Sequence, residues 1–238
     1  MARVVAVAFV AAMASALKEV PLFPLRKASR VPTDSLVLNL FEPRYLAMAE
    51  RVLGTDGVFG AMQCQGPHVL PRGRGPAEPL IAAGAVGALF RVDRSETTRD
   101  GRVRLEATAF GRLAVRRVVS TPANRASSLP YLVVDAAPVA DQRTGPNDAL
   151  VADAEAAALA AFDADGKLET PAGADVRRYA AADPEVVAGY ADFCADRSEL
   201  LSFALVRALD ADKGRALRDR DTARRLARAV AGRRQRRI

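Results

Sequence analysis

The feature that most constrains the fold is a change of hydrophobic period between the two halves of the chain. In Val103–Ala109, apolar residues alternate with Arg104, Glu106 and Thr108, which is the period of a strand with one buried face. In Ser198–Leu209, apolar residues recur every three to four positions, which is the period of an amphipathic helix. The sequence therefore predicts an α+β chain with its strand-rich part first.

The strand-rich part contains several short extended segments in succession. The predicted strands are Val20–Leu25, Ser35–Leu40, Val58–Gln63, Val86–Val92, Val103–Ala109, Leu113–Val119 and Tyr131–Ala136. Asp100-Gly101 is a typical hairpin turn pair, and Gly111 separates two of the segments. Successive short strands with little helix between them favour an antiparallel sheet that closes into a β-barrel.

One helix interrupts the strands, and the second half is helical. The first helix is predicted to begin near Pro43 and to end before Gly54. Later helices are predicted at Asp148–Phe162, at a start marked by Asp183-Pro184-Glu185, at Ser198–Leu209, and at a final segment with an apolar stripe of Ala223, Leu226, Ala227 and Val230. We expect this half to be helical, with the last helix packed on a neighbouring element through its apolar stripe.

Residues 1–16 differ from the rest of the chain. Arg3 precedes the apolar run Val4–Ala12, and Ala14-Ser15-Ala16 is a small-residue cleavage pattern. This layout predicts a signal or targeting peptide, with residues 17–140 as the barrel half and 141–238 as the helical half. No later segment reaches transmembrane length. A secretory or plastid route and a cytoplasmic location both stay open, as does the oligomeric state.

The net charge of +7 is unevenly distributed. Residues 1–140 carry a net +7, residues 141–212 a net −9, and residues 213–238 a net +9. A solvated Arg-rich helix is the simplest interpretation of the last block, and contact with a nucleic acid or a lipid surface is the alternative. Opposed blocks suit a charged protein partner at least as well as RNA.

The sequence offers little for catalysis or metal binding. Cys64 and Cys194 are the only cysteines, and we expect two buried free thiols, although a disulfide between them stays possible in an oxidising compartment. His68 is the single histidine, and with Cys64 it cannot complete the four-ligand shell of zinc. No phosphate-cradling Gly-x-x-x-x-Gly-Lys-[Ser/Thr] loop occurs. We therefore predict no catalytic residue, no cofactor and no metal site, and we expect a protein that is not an enzyme.

The order of motifs is similar to that of a known family. Val20-Pro-Leu-Phe-Pro-Leu25, the string Phe41-Glu-Pro-Arg-Tyr45, and the paired strands from Ala85 to Arg116 resemble the Lon amino-terminal (substrate-binding) domain family over about residues 19–235. The resemblance implies a PUA-like β-barrel followed by a helical bundle. It also implies a non-catalytic module that binds polypeptide segments or a partner protein, with no ATPase or protease part. RNA binding by a PUA-like fold is the alternative function.

Two segments depart from the family pattern. Val31-Pro-Thr-Asp34 stands where family members usually carry a glycine, and the loop Gln65 to Pro79 is particular to this chain. In the Phe41–Tyr45 string, we expect Phe41 and Tyr45 to anchor the helix on the barrel, and Glu42 to pair with Arg44 or with a backbone donor. The functional alternative makes Arg44 a ligand contact. The partner-binding surface is not assigned by the sequence.

Overall fold

In the computed structural model, the described residues of the first of two units form six strands and one helix. The structure describes residues 17–25, 29–64, 81–120, 131–140, 148–164, 166, 176, 177, 179, 180, 197–209, 213–219 and 221–235. Unit 1 comprises Met1–Ser29 and Ser35–Val139, and unit 2 comprises Arg30–Asp34 and Ala140–Ile238. The predicted targeting peptide, the loop that carries His68, the helix start at Asp183 and Cys194 lie outside the described residues.

The strands of unit 1 follow the predicted segments closely. They are β1 (Leu17–Leu25), β2 (Ser35–Leu40), β3 (Val58–Gln63), β4 (Val86–Thr97), β5 (Val103–Ser120) and β6 (Leu132–Val139), with helix α1 (Pro43–Leu53) between β2 and β3. The predicted break at Gly111 is wrong, because β5 runs through it as one strand. At this position the pairing of β5 with β4 shifts register, because Leu89 pairs with Gly111 and Phe90 pairs with Ala109.

The sheet is mixed, which corrects the prediction of a fully antiparallel arrangement. Its order is β2-β5-β4-β3-β1-β6, and β6 also pairs with β5, so five strands form a closed cycle of hydrogen-bonded neighbours. β1 and β3 are parallel, with Leu22 opposite Gly60, whereas the other pairs are antiparallel. A parallel pair needs a long connection, and β2 with α1 supplies it between β1 and β3.

The β4–β5 hairpin has the predicted turn. The Thr98 amide donates to the Arg102 carbonyl at 2.9 Å, and the Gly101 amide donates to the Thr98 carbonyl at 3.0 Å. Gly101 has φ +79°, a conformation that glycine adopts without steric cost. The Asp100-Gly101 pair therefore fixes the register of the two longest strands.

The core of unit 1 lies between the sheet and α1. Leu36, Leu38 and Leu40 of β2 are buried together with Met48, Ala49 and Val52 of α1. Phe59 and Phe90 stack at the centre of this core with ring centroids 5.5 Å apart. The helix begins at Pro43 as predicted and ends at Leu53, where Gly54 keeps a right-handed φ of −80°.

Unit 2 contains helices α2 (Asp148–Asp163), α3 (Arg197–Ala208), α4 (Lys213–Arg218) and α5 (Thr222–Gln235) among the described residues. α5 contacts both α2 and α3, and its buried positions are Ala223, Arg225, Leu226 and Ala229. The predicted stripe is wrong at Ala227, which is exposed. The buried face of α5 includes Arg225 instead, which is 1% exposed.

Among the described residues, no helix is both long enough and apolar enough to cross a membrane.

Candidate functional site

The Phe41–Tyr45 string joins β2 to α1, and its last residues are held by neighbours in unit 1. Glu42 precedes the helix and pairs with Arg44 at 2.5 Å, as expected from the sequence. The Arg44 guanidinium lies 4.6 Å from the centre of the Tyr45 ring. Tyr45 in turn lies 4.9 Å from Phe23 of β1, ring centre to ring centre. These contacts give Arg44 and Tyr45 structural roles at the start of α1.

Phe41 does not anchor the helix as predicted. Its side chain is 64% exposed, and the Arg102 guanidinium lies 5.8 Å from its ring centre. The cause is the alternation of β2, in which Leu36, Leu38 and Leu40 point to the core and the odd-numbered positions point outward. Phe41 continues the outward set, where Val37 is 52% exposed.

β2 is the end strand of the sheet order. One of its edges pairs with β5 through six consecutive residue pairs, from Ser35↔Thr108 to Leu40↔Val103. Along its other edge, no strand within the described ranges pairs with it. The strand contains no charged residue, no proline and no register shift, which are the usual features that prevent an edge from pairing with another chain. We call Ser35–Phe41 the β2 edge.

The charges beside the β2 edge are balanced. Arg102 pairs with Asp100 at 2.8 Å, and Arg104 pairs with Glu106 at 3.0 Å. Arg104 stands opposite Asn39 in the sheet, and Glu106 stands opposite Val37. The exposed apolar side chains therefore lie in nearly neutral surroundings, which suit an uncharged, apolar partner segment.

A second candidate site is a charged cleft next to an irregularity in β1. The register between β1 and β6 shifts between Leu17 and Val20. Glu19, inside this shift, has φ +52°, and its amide donates to Asp135 Oδ1 at 3.0 Å. A cavity of about 340 Å³ opens here, lined by Lys18, Glu19, Arg51, Arg117, Val119 and Asp135. We call these six residues the charged cleft.

Two ion pairs organise the charged cleft. Arg51 Nη2 donates to Glu19 Oε2 at 3.0 Å and to the Glu19 carbonyl at 3.2 Å. Arg117 Nη2 donates to Asp135 Oδ2 at 2.6 Å. The Arg117 guanidinium, helped by the Glu19 amide, holds the pKa of Asp135 below its usual value. Lys18 forms no ion pair within the part of the chain that the structure describes, so the cleft carries one excess positive charge.

The left-handed backbone of Glu19 is held by two hydrogen bonds, one from its amide to Asp135 Oδ1 and one from Arg51 Nη2 to its carbonyl. A left-handed backbone at a residue other than glycine costs about 1 kcal/mol or more. An exposed ion pair contributes only about 0–1 kcal/mol, and the Glu19 side chain is 59% exposed. Backbone strain at a charged residue is a feature that frequently accompanies binding sites.

Cys64 is a poor candidate for chemistry. Its side chain is buried, it is free, and its Sγ lies 3.6 Å from the Met62 carbonyl. Burial raises the pKa of the Cys64 thiol to about 11, so the nucleophilic thiolate is scarce at neutral pH. Within the described ranges, no three His, Cys, Asp or Glu side chains are placed to hold a metal ion.

Sequence reasoning named neither the β2 edge nor the charged cleft. The outward direction of Val37 follows from the alternation of Ser35–Leu40 and was available as a signal. The charged cleft could not be predicted from the sequence, because it joins residues of β1, α1, β5 and β6 that are far apart in the chain. The positive φ of Glu19 has no sequence signal either.

These features define a class of protein, an α+β chain with a mixed six-stranded sheet followed by a helical unit. The N-terminal domain of the Lon protease of Mycobacterium avium complex matches it with a TM-score of 0.52 and 16% identity, over 90% of this chain and 97% of that one. The Lon N-terminal domain protein of Xanthomonas campestris matches with a TM-score of 0.48 and 19% identity, over 90% and 98% of the two chains.

The chain therefore has the Lon N-terminal domain fold, and the resemblance predicted from the sequence is confirmed at the level of the fold. No protein-family model and no curated protein sequence matches the chain.

Proposed function

We propose that the chain is a non-catalytic module that binds extended polypeptide segments along the β2 edge. The observation that carries the proposal is an uncharged strand edge, unpaired within the described residues, that exposes Val37 and Phe41. The likeness of fold to a Lon protease N-terminal domain fits a role in recognition.

The proposed mechanism is strand addition. A strand edge presents backbone N–H and C=O groups in a row, and the natural complement is the extended backbone of another segment. Six residues of strand span about 20 Å, so the β2 edge offers a short but complete recognition length. Val37 and Phe41 would contact apolar side chains at alternate positions of the bound segment. Because the hydrogen bonds come from the backbone, such a site tolerates many sequences.

We extend the proposal to the architecture that carries the β2 edge. The closed pairing cycle of β5, β4, β3, β1 and β6 supports a PUA-like barrel, and the contacts of α5 with α2 and α3 support a helical bundle. In this arrangement β2 lies outside the cycle, since among the described strands it pairs with β5 alone. The strand proposed to bind is thus separate from the strands that close the barrel.

RNA binding, the alternative function, receives less support. Its basis is an analogy with PUA-like folds, together with the basic surface of the chain. Five arginines of unit 1 are paired with carboxylates: Arg44, Arg51, Arg102, Arg104 and Arg117. Pairing of this kind reduces the positive potential available to a phosphate backbone.

The experiment compares two matched substitutions in the full chain. Val37→Lys places a positive charge on the β2 edge, and Leu150→Lys places the same charge at a 58% exposed leucine on α2. The probe is a fluorescein-labelled, unstructured peptide that alternates apolar and uncharged polar residues, and the readout is fluorescence anisotropy. We expect Val37→Lys to weaken binding about tenfold or more and Leu150→Lys to change it less than twofold.

Two outcomes would contradict the proposal in different ways. If Val37→Lys and Leu150→Lys bind the peptide equally well, the β2 edge is the wrong surface. If the wild-type chain does not bind the peptide, but binds a labelled single-stranded RNA at about 50 mM salt, the alternative function takes its place.

A further inference from the structure

The charged cleft has the charge and shape of a site for one carboxylate. Its ionisable groups are three cations, Lys18, Arg51 and Arg117, and two carboxylates, Glu19 and Asp135. Asp135 is held from two sides, by Arg117 and by the Glu19 amide, and its side chain is only 19% exposed. Among the described residues the Glu19 carboxylate is held by Arg51 alone, and its side chain is 59% exposed. The two carboxylates are therefore unequal, and Glu19 is the one that can leave.

The second feature of the charged cleft is the depth of Arg51, the cation that binds Glu19. The Arg51 side chain is only 28% exposed, so it lies deeper than the carboxylate that it binds. The Arg51 guanidinium is fixed in place by the Tyr131 side chain and by the Glu19 carbonyl, so the donor that Glu19 Oε2 occupies stays in position for an incoming oxyanion. We infer that the charged cleft binds a carboxylate of a polypeptide, and that this carboxylate replaces Glu19 on Arg51.

The charge balance of the cleft favours a ligand group with a single negative charge. With the Glu19 side chain turned to solvent, Lys18, Arg51 and Arg117 face Asp135 alone, which leaves a local charge of +2. One carboxylate restores the charge of +1 that the cleft has with Glu19 in place. The lining also includes the partly buried Val119, which offers an apolar wall for the aliphatic stem of a glutamate side chain.

In this inference Glu19 is an internal competitor. Its backbone is kept in the left-handed region, at φ +52°, by the Asp135 contact of its amide, and this holds its side chain at the mouth of the cleft. Removing the Glu19 charge should therefore strengthen binding of an external carboxylate. The inference rests on the proposed function only for the kind of molecule that carries the carboxylate.

The test uses small probes, so its result does not depend on peptide binding at the β2 edge. The ¹⁵N-labelled full chain is titrated with N-acetyl-glutamate amide, with N-acetyl-glutamine amide and with inorganic phosphate, and the Nε–H signals of Arg51 and Arg117 are followed by NMR. We expect saturable shifts at both arginines with the glutamate probe alone. Arg102→Gln, which removes an arginine outside the cleft, is the control and should leave the shifts unchanged.

Two variants sharpen the test. Glu19→Gln should tighten binding of the glutamate probe about threefold or more, because the competing charge is gone. Arg51→Gln should abolish the saturable shift of Arg117. Equal shifts with the glutamine probe, tighter binding of phosphate than of the glutamate probe, or unchanged affinity in Glu19→Gln would overturn the inference. A failure of peptide binding in the anisotropy assay, with these shifts intact, would contradict the proposed function alone.

Discussion

Lys213 of α4 binds Asp34, 179 positions earlier in the chain, with Nζ 3.0 Å from Oδ1 and 3.1 Å from Oδ2. Asp34 also accepts the Val31 amide at 3.1 Å, and Arg207 donates to the Thr33 carbonyl. These contacts place residues 30–34 in unit 2, although the sequence prediction grouped them with the strands. A five-residue segment of the first half is thus an integral part of the helical unit.

The Asp34–Lys213 pair leads to a stability prediction. The Asp34 side chain is only 3% exposed, and its carboxylate is stabilised there by Lys213 and by the Val31 amide. We expect Asp34→Asn to lower the free energy of unfolding by about 1–3 kcal/mol, because the half-buried Lys213 ammonium then loses its charged partner. Urea unfolding followed by circular dichroism measures the effect. Asp100→Asn, which breaks the exposed pair with Arg102, is the control and should cost less than about 1 kcal/mol. Equal losses in the two variants would contradict the prediction.

Buried Arg225 is the polar centre of unit 2. Its Nε donates to Ser202 Oγ at 2.9 Å, its Nη1 to the Asp219 carbonyl at 2.5 Å, and its guanidinium lies 4.3 Å from the Phe203 ring centre. We expect Arg225→Met to destabilise the chain by about 3 kcal/mol, because these acceptors lose their donor inside the unit.

Arg224 supplies the matched control for Arg225. Its side chain is 69% exposed and pairs with Asp221 at 3.5 Å on the same helix. Arg224→Met should change the free energy of unfolding by less than about 0.5 kcal/mol. If the two neighbouring substitutions have similar effects in thermal unfolding, the network around Arg225 does not stabilise the unit.

Gly60 and Gly232 should respond to alanine with opposite signs. A Cβ at Gly60 would lie 2.6 Å from Leu22 Cδ1 and 2.7 Å from Leu113 Cδ2, so Gly60→Ala overpacks the sheet. We expect a loss of about 1–3 kcal/mol there. A Cβ at Gly232, within α5, meets no described atom within 4 Å, so Gly232→Ala should gain about 0.5–1 kcal/mol of helix propensity. Urea midpoints that move in the same direction would refute this pair of expectations.

Much of the fold could be predicted from local sequence patterns. The bounds of β2 and β3 and both ends of α1 were predicted correctly, because alternation, Pro43 and the Gly54 stop are encoded within a few residues. The parallel pairing of β1 with β3 was not predicted, since strand direction depends on how distant segments meet in space. Arg225 was missed for the same reason, because its burial depends on Ser202 and Asp219 of other segments.

The candidate site was less predictable than the fold. The Glu42–Arg44 pair was expected from two residues close in sequence, and it is present. Phe41 was expected to be an anchor because aromatic residues are usually buried, yet the parity of β2 turns it outward. The alternation of inward and outward side chains is set by the whole strand, whereas the Phe41–Tyr45 motif begins one residue after the strand ends at Leu40.

The Asp135 carboxylate should report the integrity of the charged cleft through its pKa. The hydrogen bond from Arg117 lowers this pKa, and the Glu19 amide lowers it further. A carboxyl group whose pKa is lower in the folded state stabilises the fold above the unfolded pKa of about 3.9, and that contribution is lost as the pH falls through the folded value. We expect Arg117→Gln to raise the pKa of Asp135 towards its ordinary value, as measured by NMR titration. An unchanged Asp135 titration in Arg117→Gln would mean that the pair is absent in solution.

The Cys64 thiol should be protected from alkylation for two independent reasons. It is 6% exposed, and burial raises its pKa to about 11, so at pH 8 only on the order of one thiol in a thousand is ionised. In a Cys194→Ser background, we expect iodoacetamide to modify Cys64 at least about a hundredfold more slowly in the folded chain than in urea, where the pKa returns to about 8.5. Mass spectrometry at timed intervals measures both rates. Raising the pH from 7 to 9 in the folded chain should still increase the rate about tenfold per pH unit, because the thiolate is the reacting species. A rate that levels off near pH 9 would show that the pKa of Cys64 is not raised, and that the thiol is not enclosed beside Met62.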